Sequence, residues 1–176
     1  AEECHAIMNR YGMLANIVEH SEQVMRVSLA ITDDLIDAGT VDRDLIIASS
    51  LLHDITKTRS LATKERHDLS GGELLRSLGF DRIAYIVEQH VYFTEFDPAG
   101  AIEEREIVYY ADKRVMHSEI VTVEQRVRDL VDRYGTTPER SAIIMKNKEL
   151  VLAMERKINR FMWGDINLVI AALAQP

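Results

Sequence analysis

Apolar residues recur along this chain at the three- and four-residue spacing of helices, and stretches with glycine, proline or a capping residue separate the runs. The pattern predicts a first helix over residues 3–17. A second runs from Ser21 to about Ala38, where Val24, Val27, Ile31 and Leu35 share a face and Gly39 ends the segment. Asp42 is placed to cap a third helix reaching about Thr56. Its centre, Leu45 to Leu52, is apolar on nearly all sides, which marks a buried helix. Lys57 to Arg66 reads as a polar loop. Ser70-Gly71-Gly72-Glu73 has capping-box spacing ahead of Leu74 and Leu75, and Gly79 suits the position just past a helix end. Asp81 caps the next helix, through Ile83, Ile86, Val87 and His90; residues 91–101 read as a loop, and Glu103 to about Met116 as helix again. Val123, Val127, Leu130, Val131 and Tyr134 line one face of a helix ending at Gly135. Thr137-Pro138-Glu139 then restarts a long helix to about Met162, and Asp165 caps a short last one. No strand, repeat or low-complexity segment stands out. The expectation is an all-α fold.

Composition narrows the class. With 176 residues, 47% of them apolar, the chain is long enough for one compact domain or a domain with a helical extension. A net charge of −8 argues against duplex nucleic acid as a partner, since phosphate-backbone binding rests on clustered Lys and Arg. A small anionic substrate stays open, because a bound metal supplies positive charge that the net count misses. Cys4 is the single cysteine, which excludes a disulfide framework or a Cys-rich zinc knuckle and favours a reducing, cytoplasmic setting. No apolar stretch reaches membrane-spanning length, and the start lacks a signal-peptide layout, so no membrane partner is expected. The chain opens without Met, as a trimmed chain or a piece of a longer protein would.

Against this apolar background a few polar residues stand out. His53-Asp54, at the end of the apolar third helix, offers an imidazole nitrogen beside a carboxylate, ligand types that together suit Zn, Mn or Fe. Burying the pair without a partner would cost several kcal/mol, roughly 2–7 per polar group. His90 shares the core-facing side of Ile83, Ile86 and Val87; His20 begins the buried stripe of Val24 and Val27; Asp112 falls between Val108 and Val115, with no basic partner on that face. Each alone has an ordinary reading, a core histidine bonded to a carbonyl or an aspartate tethering a helix. Together they argue for one shared metal centre. Ser49 and Ser50, one turn before His53 and Asp54, keep that face free of bulk.

The order His, His-Asp, Asp resembles the HD superfamily of metal-dependent phosphohydrolases. The resemblance is clearest at Ser50-Leu51-Leu52-His53-Asp54-Ile55-Thr56-Lys57 and continues at Glu19-His20-Ser21, Arg66-His67, Glu88-Gln89-His90 and Val108-Tyr109-Tyr110-Ala111-Asp112-Lys113. It implies an HD core over residues 1–116 and a helical extension, 117–176, packed on or beside it as a lid, a dimer contact or a docking surface. It further implies His20, His53, Asp54 and Asp112 as ligands of a first metal. His67 and His90 would hold a second metal with Asp54 as the bridge, or contact substrate phosphate. Thr56 stands where the family has glycine, and Val91 where several dinuclear subfamilies have a second consecutive histidine. His5 and His117 match no ligand position and are read as structural or surface residues.

The activity so implied is hydrolysis of a nucleotide or other small phosphoester by metal-activated water, attacking in line at phosphorus. Asp54 and Lys57 carry the catalytic assignment, and Lys57, Arg59 and Arg66 the substrate-binding one, Lys64 adding to a basic segment. Lys57 equally fits a lysine at a helix C-terminus, held by the dipole. Phe93 and Phe96 suit packing under their own loop better than stacking on a base. The cofactor is one or two divalent ions among Fe, Mn, Zn, Ni, Co and Mg, and a homodimer is an option. No Gly-Tyr-Pro signature of cyclic-dinucleotide phosphodiesterases follows Asp54. Two other classes are a non-catalytic HD module that binds a nucleotide or partner in regulation, and a di-iron oxygenase, which would need further ligands.

Overall fold

Two buried stripes organise the helices. In the computed structural model, which describes residues 1–173, the chain runs α1 (Glu2–Arg10), α2 (Ala15–Asp33), α3 (Arg43–Leu52), α4 (Lys57–Thr63), α5 (His67–Ser77), α6 (Asp81–Gln89) and α7 (Glu104–Asp112). A small hairpin, β1 (Val115–Met116) and β2 (Glu119–Ile120), leads to α8 (Val123–Tyr134), α9 (Pro138–Asn159) and α10 (Ile166–Ala172). The fold is all-α apart from that hairpin. The larger core joins Val24, Val27 and Ile31 of α2 to Ile46 of α3, Ile107 to Tyr110 of α7, Met154 and Ile158 of α9, and Ile166 and Ile170 of α10. The smaller gathers Cys4 and Met8 of α1 with Ile17, Leu51, Leu52, Ile55, Leu75 and Val87. Helices α2 and α3 touch both. They approach closely at two buried serines, Ser50 Oγ donating to Ser28 Oγ at 3.0 Å. Ser50 therefore serves helix packing.

At three of the expected side-chain caps the structure follows the sequence reading. Asp42 accepts from the Leu45 amide at 3.0 Å, Thr137 from Arg140 and Asp165 from Asn167 and Leu168. Gly79, with φ +87, takes up the left-handed position past α5 that glycine tolerates best.

Boundaries set by tertiary contact differ from the sequence reading. The helix expected over 3–17 ends at Arg10. Gly12 turns the chain at φ +66, and α2 starts at Ala15 rather than Ser21. Helix α2 stops at Asp33, short of Ala38, because the next residues pair with the C-terminal segment. The Ile36 amide donates to the Phe161 carbonyl, and Asp34 accepts from the Gly164 amide. The third helix ends at Leu52, before Thr56, and the supposed loop from Lys57 contains α4, whose Ser60 and Thr63 hydroxyls turn back onto its own carbonyls. Lys64 ends it at φ +62. Ser70 lies inside α5, which begins at His67; its hydroxyl donates to Thr56 Oγ1 rather than capping. Asp81 is the first residue of α6, and Phe80 holds the cap position. The helix expected to reach Met116 stops at Asp112, and the hairpin pairs Val115 with Ile120.

The C-terminal helices share the larger core. Lys157 Nζ of α9 meets Glu106 Oε1 of α7 at 2.7 Å with both side chains 1% exposed, and Arg114 donates to Asn167 beside α7 at 2.8 Å. Among the described residues no helix is long and apolar enough to cross a membrane.

Candidate metal centre

Five elements deliver their polar residues to one point. His20 lies in the second turn of α2, His53 caps the C-terminus of α3, and Asp54 occupies the turn that follows. His67 is the first residue of α5, His90 caps the C-terminus of α6, and Asp112 is the last residue of α7. Three helix C-termini thus end here, and the negative ends of their dipoles favour a cation. The side chains of His53, Asp54, His90 and Asp112 are nearly or fully buried, and His20 and His67 almost so.

Backbone carbonyls fix how the imidazoles face. Nδ1–H of His20 donates to His117 O at 2.8 Å, that of His53 to Ser50 O at 2.8 Å, and that of His90 to Val87 O at 2.6 Å. Each ring is thereby held in the tautomer that turns a bare Nε2 lone pair inward, the arrangement typical of metal-ligating histidines. Those lone pairs converge. His67 Nε2 and His90 Nε2 lie 3.2 Å apart and stand 3.2 and 3.4 Å from Asp54 Oδ1, without hydrogen-bond geometry to it. On the other side His53 Nε2 is 3.6 Å from Asp54 Oδ2 and 3.8 Å from Asp112 Oδ1, which sits 3.1 Å from His20 Nε2.

Among the described residues, His53 Nε2 and Asp54 Oδ1 are buried with no hydrogen-bond partner. Leaving such groups unmet is expensive, and lone pairs facing one another across about 3 Å repel unless a cation or proton lies between. Two sets, His20 with His53 and Asp54, and Asp54 with His67 and His90, bring one ligand atom each within 4.8 Å of one another. The donors fit a divalent metal ion, and Asp54 belongs to both sets.

The electrostatics keep Asp54, Asp112 and His53 in ligand form. Burial pushes Asp54 and Asp112 up, but the surrounding imidazoles with Lys57 and Lys113 outweigh it and hold both well below the ordinary carboxylate range. Burial drops His53 to about 4, so its ring is neutral near pH 7. Burial also lowers His20, yet the Asp112 carboxylate facing its Nε2 favours a proton there and prevails, so the net shift is upward and a proton competes with a metal at this ring.

The other predicted residues divide. Lys57 starts α4 rather than ending a helix, and its Nζ stands 3.1 Å from His67 Nε2 and 3.8 Å from Asp54 Oδ1. Arg59 is paired with Glu65 and Arg66 with Asp68, Arg66 also lying over the Tyr92 ring; neither lines the cavity at the centre. Phe93 packs edge-on against Phe96 and Tyr109. His5 bonds Glu22 at the surface. His117 contributes its backbone, the carbonyl that orients His20. Asp112 is not without a basic partner, since Lys113 Nζ donates to its Oδ2 at 2.6 Å and to His90 O at 2.9 Å. That role of Lys113 went unread, although its place beside Asp112 was the signal. The cavity, about 850 Å³, also takes a wall from α8 and α9, through Arg126, Arg133 and Lys146. No motif pointed there; the faces become visible only once the helices pack.

Comparison with known proteins decides the family. The model of the HD domain matches residues 17–117, more than half of the chain. The chain belongs to the HD domain family. That match ends at His117, so the α8–α9 wall lies beyond the HD segment. An uncharacterized protein of Methanocaldococcus jannaschii is 30% identical over 154 residues, 77% of this chain and 88% of that protein. A tRNA (cytidine(56)-2'-O)-methyltransferase of Picrophilus torridus is 30% identical over 147 residues, 76% of this chain and 40% of that protein. One of Thermoplasma volcanium with the same name is 30% identical over 89 residues, 50% of this chain and 25% of that protein. The HD chain therefore spans less than half the length of either methyltransferase. No solved structure matches it.

Proposed function

We propose that this HD domain protein is a metal-dependent phosphohydrolase acting on a nucleotide or other small phosphoester. The observation that carries the reading is Asp54, a buried carboxylate shared by two sets of histidines whose bare Nε2 atoms face it. His20, His53, Asp54 and Asp112 would hold one ion, and Asp54, His67 and His90 another. Divalent ions in such sites polarise a phosphoryl oxygen and bring the pKa of water down toward about 7. The chain's own part is positional. Three carbonyls fix the imidazole tautomers, Lys113 steadies Asp112, and Lys57 offers a positive charge beside the centre for a phosphate oxygen.

Completeness of the ligand set favours an enzyme over a binding-only module, in which nothing would require every donor. The two methyltransferases bear on the substrate. A stretch similar to this chain makes up 40% of one of them, an association with nucleotide chemistry that favours a nucleotide over a sugar or lipid phosphate.

Metal analysis of the purified protein, followed by a phosphoester panel with added Mn, Fe, Ni and Mg, tests the reading. Hydrolysis is expected with at least one ion, and Asp54→Ala is expected to abolish it. A fully loaded protein that turns over nothing, or an active Asp54→Ala variant, would sink the assignment.

A further inference from the structure

The cavity does not stop at the metal centre. Its two carboxylates, Asp54 and Asp112, both belong to that centre, whereas every charged residue on the α8–α9 wall is a cation: Arg126, Arg133 and Lys146. In a protein of net charge −8 this is a local reversal of sign. The cations nearer the centre are already engaged, Lys113 with Asp112 and Lys57 beside His67 and Asp54. Those on the wall are not balanced in the same way. Arg126 and Arg133 share a single carboxylate, Asp129, which does not line the cavity, and Lys146 has no ion-pair partner among the described residues. Arg126 Nε is moreover buried without a hydrogen-bond partner, a donor costly to leave unmet.

Spacing explains how the wall is built. Arg126, Leu130 and Arg133 follow at four and three residues on α8, and Ile143, Lys146 and Leu150 at three and four on α9, so each helix turns one face to the cavity. The volume, about 850 Å³, is near the upper end of small-molecule sites, about 300–1,000 Å³. A phosphoryl group at Asp54 would take up only part of it.

We propose that the α8–α9 wall is a second anion subsite, and that the substrate is a nucleotide bearing another phosphate remote from the one at the metal centre. This rests on the phosphohydrolase reading only for what happens at Asp54; the subsite itself is a matter of binding. Apolar residues of the same wall, Leu130 and Leu150 among them, would cover the nucleoside.

The test compares dissociation constants of nucleoside 5′-monophosphates and 3′,5′-bisphosphates of the four common bases. Calorimetry on the full Mn-loaded chain supplies them, with the mixture analysed for product after each run. At least one bisphosphate is expected to bind about tenfold more tightly than its monophosphate, about 1.4 kcal/mol. In Arg133→Met/Lys146→Met the preference should fall to within about twofold with monophosphate affinity unchanged. Both positions are exposed, so the fold should persist, and a thermal melt checks it. Lys146→Glu alone should invert part of the preference. Equal affinity for every pair, or a preference that survives the double variant, overturns the subsite. A preference without product from any phosphoester leaves the subsite standing and removes the hydrolytic reading instead.

Discussion

At the scale of single residues the centre makes sharp demands. If Asp54 serves two ions, His67→Ala and His90→Ala should each lower the bound metal from two ions per chain to one, while Asp54→Ala should lose both; elemental analysis after dialysis reads the count. Lys113 touches Asp112 and the His90 carbonyl rather than any Nε2 atom. Lys113→Met should therefore leave the stoichiometry intact and weaken metal affinity by about 10–100-fold, the usual effect of an outer partner. The pH dependence follows from which histidine protonates first. His20 is raised by Asp112, whereas His53 is pushed to about 4. A proton and a metal compete for the same lone pair. Metal affinity should thus fall as pH drops through a value above that of an ordinary histidine, with His53 adding nothing until far more acid conditions; a metal titration across pH 5 to 8 shows the midpoint. His20→Ala should remove the upper midpoint.

At the scale of elements, the sequence was most readable where a boundary is enforced by the residue standing on it. Asp42, Thr137 and Asp165 are caps in structure as in pattern, because a short polar side chain standing at the boundary satisfies the free amides of the first turn; Ser70 and Asp81, which fall inside their helices, do not. Helix α2 is the opposite case. Its apolar spacing runs on through Leu35, but Asp34 and Ile36 are drawn off by Gly164 and Phe161, more than a hundred residues away, which no local pattern reveals. The same division holds for the site. His20, His53, Asp54, His90 and Asp112 betray themselves as polar residues on apolar faces, whereas Arg126 and Lys146 lie on amphipathic helices where cations are ordinary. One element contact carries its own prediction. Lys157 and Glu106 join α9 to α7 in the core, and burial raises Glu106 despite the lysine. Lys157→Met should cost about 3–5 kcal/mol in urea denaturation, since it strands a buried carboxylate. Lys157→Met with Glu106→Leu should recover most of that.

At the scale of the whole molecule, the segment matched by the family ends at His117, yet the core does not. Val151, Met154 and Ile158 of α9 and Ile166 and Ile170 of α10 are at most 2% exposed and belong to the same cluster as Val24, Ile31 and Tyr110. Cutting the chain after Val121 would uncover the α2 and α7 faces they cover and leave Glu106 without Lys157. Hydrophobic burial scales with the area lost, about 25 cal/mol per Å², and a leucine- or isoleucine-sized side chain is worth roughly 1.5–3 kcal/mol. Five such side chains together exceed much of the 5–15 kcal/mol that typically separates a folded domain from its unfolded chain. A fragment of residues 1–121 is therefore expected to aggregate or to melt without a cooperative transition, while the full chain melts as one unit. Metal should sharpen the contrast. An ion at a hundred times its dissociation constant adds about 2.7 kcal/mol to whatever folded state binds it, roughly 5–10 °C for a chain of this size. The full chain should show that rise on adding Mn and lose it with chelator. The fragment contains every residue of the two ligand sets, so a matching rise there would mean that the HD segment folds alone and that α9 and α10 are dispensable to its core.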